Sequence, residues 1–170
     1  MKKWVGILLV LFFLAGCQEQ AEKKVKIKGE VKISDNKVVL SGNSNLPKGA
    51  GLIVELKSIK DDSTLKKEKV PVKNNGKYQL ALQPPSGELP YKLQVTFQAS
   101  DQSEAIKKDY GDNGEYISQK SPGFTSLKEG EETINIIRLY NLIDMEHSME
   151  STDATENHSS LSTQFEDHQD

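Results

Sequence analysis

Cysteine is nearly absent from this chain. Cys17 is the only one in 170 residues, so no disulfide can form within the chain. Histidine is almost as scarce, and His147, His158 and His168 all follow residue 143. Residues 25–143 therefore lack the parts for Ser-His-Asp or Cys-His catalysis and for His-based zinc sites. Ser-Lys catalysis and carboxylate pairs stay open on composition alone, with Asp61-Asp62, Glu131-Glu132 and Asp109 with Asp112 as the adjacent acids. Each of these falls in a turn or at a strand start, where solvated charge is ordinary, so no catalytic residue, cofactor or metal site is expected. Arg138 is the only arginine and Trp4 the only tryptophan. No glycine-rich phosphate loop follows a strand and opens a helix. Long apolar runs are also missing, except one at the N-terminus.

That run is Trp4 to Ala15, twelve uncharged residues behind Met1-Lys2-Lys3. A bilayer-spanning helix needs about 20 residues, so this one is too short. A charged start, a short apolar centre and small residues at its end suit a cleaved export signal. The competing readings are a plain secretory signal that happens to end in cysteine and a short retained anchor.

The run closes on Leu14-Ala15-Gly16-Cys17. This resembles the lipobox of bacterial lipoproteins. The resemblance implies that the Cys17 thiol takes a diacylglyceryl group and that cleavage falls between Gly16 and Cys17. Two acyl chains hold a protein stably where one holds only marginally. The expected location is the extracytoplasmic face of the cell membrane, with the membrane as a partner through diacylglyceryl Cys17.

Four segments follow: a signal at 1–16, the lipidated cysteine and a polar tether at 17–24, a folded domain at 25–143, and a tail at 144–170. The domain carries 18 basic and 15 acidic side chains, a net of +3, and the tail carries eight acids with no lysine or arginine. The basic residues are scattered along the sequence with no stripe, which argues against nucleic acid. The tail has few large apolar residues and is expected to be disordered. Its histidines, with Asp144, Glu146, Glu150 and Asp167, are too widely spaced to hold a metal at fixed geometry.

Within the domain the apolar residues alternate with polar ones, the mark of half-buried strands. Val25, Ile27, Val31 and Ile33 form a first strand, with a bend expected at Gly29. Val38 and Leu40 open a second after a turn at Asp35-Asn36. Leu52, Val54 and Leu56 make a third. Val70 and Val72 flank Pro71, which points to an edge strand. Asn75-Gly76 predicts a tight hairpin turn leading into Tyr78, Leu80 and Leu82. Tyr91, Leu93, Val95 and Phe97 alternate most regularly, and Thr133 to Tyr140 is a closing central strand. Between these last two, residues 101–130 read as an insertion, with a short helix from Glu104 to Tyr110 capped by Asp101 or Ser103 and stopped by Gly111. The loop from Asp109 to Glu115 is only faintly like a calcium loop and lacks its spacing.

Seven strands over some 115 residues predict an all-β, Ig-like or fibronectin-like antiparallel sandwich, with a small barrel as the other candidate. Ser41 to Gly49, with Asn45-Leu46-Pro47 ahead of Leu52 to Leu56, is similar to an element in β-sandwich domains of Bacillus-type exported lipoproteins. That resemblance implies the same fold and location and carries no catalytic residues. The expected function is non-catalytic: binding another exported protein or a cell-envelope component. A small-ligand or ion-binding lipoprotein serving a transporter or sensor is the alternative.

Overall fold

The computed structural model describes residues 20–34, 37–85, 90–144 and 158–164. The lipobox, including Gly16 and Cys17, and the expected turn at Asp35-Asn36 lie outside this set. The chain forms an antiparallel β-sandwich, the all-β fold class expected. One sheet has the order β5-β2-β1-β9, from Lys77–Leu82, Lys37–Ser44, Ile27–Ser34 and His158–Ser160. The other has the order β4-β3-β6-β8-β7, from Thr64–Pro71, Gly51–Ser58, Tyr91–Gln98, Glu132–Ile143 and Phe124–Glu129.

The sandwich is built by the period-two rule, because successive side chains on a strand point to opposite faces. Val31, Val38, Leu40 and Leu82 face Leu52, Val54, Leu56, Leu93, Phe97, Ile137 and Ile143 across the interlayer, all essentially excluded from solvent. Tyr91 anchors the corner where the chain enters β6. Its hydroxyl donates to the Pro85 carbonyl at 2.7 Å, the tyrosine corner of Ig-like sandwiches. Pro71 sits on β4, and β4 is an edge strand as its proline requires.

Three expectations need correction. The Asn75-Gly76 turn does not join a hairpin, because β4 pairs with β3 in one sheet and β5 with β2 in the other. The turn carries the chain between sheets. The Gly76 N–H bonds the Lys73 carbonyl at 3.0 Å, Gly76 takes φ 76°, and its own carbonyl accepts from Ser44 at 2.8 Å. Asn-Gly chemistry specifies a local reversal, whereas strand partners are chosen by packing.

The second correction is at 101–130. Here Glu104–Tyr110 is the short helix α1, bounded by Ser103 and by Gly111 at φ 87°. Yet the segment is no appendage. Ile106, Tyr110 and Ile117 are buried in the common core, and the Tyr110 ring meets Phe97 edge-on at 5.2 Å. The segment also contains β7, a strand missed in sequence because its edge position leaves it half exposed and without clean alternation. Gly130, at φ 65°, turns β7 into β8, with Glu129 opposite Glu132.

The third concerns the tail. Residues 158–164, expected to be disordered, lie on the sandwich, and tail residues 145–157 and 165–170 lie outside those described. β9 pairs with β1, Glu30 opposite Ser160. The Leu161 side chain packs on the core, and Ser162 exchanges two 2.8 Å backbone hydrogen bonds with Tyr140 of β8. Inward-facing Asn141 of β8 donates to the Ser160 carbonyl at 3.0 Å and accepts from the Ser159 hydroxyl at 3.0 Å. One short segment thus ties the open edges of both sheets.

At the N-terminal side Lys23 bonds Tyr116 and Ser118 through its backbone and reaches Asp109 with its ammonium at 2.5 Å, which ties the residues before Val25 to the 101–123 segment.

Stopping the chain after Asp144 removes the strap. It is expected to lower stability by about 2–4 kcal/mol, from one leucine and a few hydrogen bonds. Urea unfolding of the two chains measures this, and an unchanged midpoint would show the strap to be idle.

Candidate functional site

The residues singled out as chemistry-bearing are scattered. Asp61 accepts from the backbone and hydroxyl of Ser63, and these hydrogen bonds hold its carboxyl below the usual range. Asp62, at φ 58°, lies between Lys57 and Lys92, whose hydrogen bonds hold its carboxyl low against mild desolvation. Asp109 pairs with Lys23, while Glu115 accepts from the Asn113 N–H. Among the described residues no three His, Cys, Asp or Glu side chains gather into a metal-holding group. Tyr78, Tyr91 and Tyr110 are core residues, so they form no aromatic surface.

What does gather is a row of lysines on the four-stranded sheet. Gly29 of β1 sits opposite Gly42 of β2, and Gly42 sits opposite Tyr78 of β5. All three belong to the inward row. Gly29 is therefore no bend; its lack of a side chain makes room. A Cβ there would lie 2.6 Å from the Tyr78 hydroxyl and 2.8 Å from Leu161. A Cβ on Gly42 would collide with both the Lys28 carbonyl oxygen and Tyr78. The tyrosine lies in that gap, and its hydroxyl donates to the Lys28 carbonyl at 2.9 Å.

On the outward side the same register sets Lys28, Asn43 and Lys77 abreast, and Ser160, Glu30, Ser41 and Gln79 in the next row. The inter-sheet turn adds Lys73 and Asn75. Together they line an open trough of about 770 Å³, closed on one side by Ser160 and Leu161 of the strap. Neighbouring strands lie about 4.8 Å apart, so Lys28 and Lys77 stand about 10 Å from each other across Asn43. Lys23, Lys57, Lys67, Lys92 and Lys107 pair with carboxylates, whereas Lys28, Lys73 and Lys77 are in no ion pair among the described residues. Along the strands of this face Lys28, Lys32, Lys37 and Lys77 outnumber a single carboxylate, Glu30. The sequence reading missed this because these lysines come from three strands and only pairing brings them side by side.

A second open pocket lies beside α1. It is lined by Gln20, Glu104, Lys107, Lys108, Asp112 and Glu115, a mixed set with no charge of one sign.

Comparison of the chain with protein-family models, curated proteins and solved structures returns no match. No helix among the described residues is long and apolar enough to cross a membrane.

Burial raises the Tyr78 phenol far above its ordinary value of about 10, and burial with the nearby Asp109 charge raises Tyr110 in the same direction. A raised folded-state value favours the protonated form. The stability it confers is complete below pH ~10 and is lost as the pH climbs above that. Tyr78→Phe should cost about 1 kcal/mol at neutral pH through the lost hydrogen bond. It should also flatten the alkaline fall in stability. Unfolding midpoints from pH 7 to 12 check both, and an identical alkaline slope in the variant would contradict the second.

Proposed function

We propose that this chain is a membrane-anchored, extracytoplasmic lipoprotein whose β-sandwich is a binding module for a cell-envelope component. The anchoring half of this reading rests on sequence: the export signal and the resemblance of Leu14-Ala15-Gly16-Cys17 to a lipobox. The binding half is supported by one observation, the open trough in which the strand register collects Lys28, Lys73 and Lys77 over a floor of two glycines.

The distribution of chemistry agrees with binding rather than turnover. The trough holds ammonium, amide and hydroxyl groups and one exposed carboxylate, Glu30. It offers charge and hydrogen-bond donors on a preformed surface, and binding sites are generally preformed. The first described residues, near Gln20, follow Cys17 within three positions, so a lipid on Cys17 would hold the sandwich close to the bilayer.

Cys17→Ser tests the anchor. Expression of the full chain in a bacterial host, with fractionation and labelling by a radioactive fatty acid, should put the wild type in the membrane fraction with label on it. The serine variant should carry no label and leave that fraction. A wild-type protein that stays unlabelled would overturn the lipoprotein reading.

A further inference from the structure

We infer that the trough is a binding site for a linear phosphate-bearing polyanion, a phosphodiester polymer of the envelope. Three features carry the inference. Lys28, Lys73 and Lys77 line one concavity, and among the described residues none of the three is in an ion pair. Like charges brought together repel, and a bound anion relieves that repulsion. Lys23, Lys57, Lys67, Lys92 and Lys107 each meet a carboxylate, and what sets Lys28, Lys73 and Lys77 apart from the other lysines outside these pairs is that they share one concavity.

The second feature is the donor set. Lysine is a compact point charge on a flexible stem and binds phosphate as such, without the planar fork that arginine brings to carboxylate and phosphate alike. Arg138, the one arginine, lies on β8 in the other sheet. Lysines beside the amides of Asn43 and Asn75 read charge and spacing, which suits tetrahedral phosphate.

The third is shape. The trough is concave, with the strap at Ser160 and Leu161 on one side and the turn bearing Lys73 and Asn75 on the other. A chain can lie between these walls, whereas a flat bilayer cannot follow them. Lys28 and Lys77, about 10 Å apart across β2, can engage separate phosphates of one chain. Glu30, in the neighbouring row, is the one carboxylate that lines the trough.

The envelope origin of the polymer rests on the location proposed above. Binding in solution does not, so the two can fail separately. The test uses the chain from residue 17 to 170 with Cys17→Ser, titrated with poly(glycerol phosphate) and with long-chain inorganic polyphosphate at low ionic strength. Both should bind, more weakly as salt rises. The variant K28Q/K73Q/K77Q should lose affinity by about tenfold or more, and K60Q/K120Q/K128Q, which removes the same charge elsewhere, should lose less than about twofold. Glu30→Gln should tighten binding by a few fold. Equal losses in the two triple variants would reduce the effect to net charge and overturn the site. So would an absence of polymer binding, tighter binding of poly-glutamate, or binding of phosphatidylglycerol vesicles in place of the polymers.

Discussion

Two sheets bury one apolar layer between them, and no covalent cross-link assists. With a single cysteine the domain has no disulfide to hold its sheets together, so burial of the interlayer is the interaction on which the rest depends. Every other device serves that layer. The Tyr91 corner fixes the entry to β6. The segment 101–123 adds Ile106, Tyr110 and Ile117 to one end of it. The strap, through Leu161, Asn141 and Ser162, closes the edge where β1 and β8 would otherwise end unpaired. An exposed strand edge invites pairing with other chains, so covering it protects the fold as well as stabilising it.

The lysine trough is a by-product of the same packing. Tyr78 is a core residue whose bulk needs space on the inner face of the four-stranded sheet. Gly29 and Gly42, neighbours in the register, provide it. That register then determines which outward residues stand abreast, and it sets Lys28, Asn43 and Lys77 in one row. The inner and outer faces are coupled because a one-residue slip would exchange them.

How much of this was legible beforehand differs from element to element. The core strands at 27–33, 52–56 and 91–97 were clear, because they are half-buried and their alternation is regular. The helix Glu104–Tyr110 was placed to the residue from local signals, Asp101 or Ser103 at its start and Gly111 at its end, and Ser103 holds the cap position. β7 and β9 were not, since Phe124–Glu129 is an edge strand and His158–Ser160 is polar and three residues long. Neither has a pattern of its own; each is a strand because β8 or β1 offers it an unpaired edge. Asn75-Gly76 was read correctly as a reversal and wrongly as a hairpin, for the same reason.

The amino-acid sequence alone determined what lies in short windows: the apolar run before Cys17, the alternation of the main strands, the short helix and the lack of histidine in residues 25–143. These are set by neighbours a few residues apart, and propensity and periodicity report them directly. Only the tertiary structure decided which strands pair, that the acidic tail returns as a strap, and that Lys28, Lys73 and Lys77 share one concavity. Lys28 and Lys77 are 49 positions apart in the chain and one strand from contact in the sheet. Such proximity comes from the register of hydrogen-bonded strands, which depends on how the whole interlayer packs.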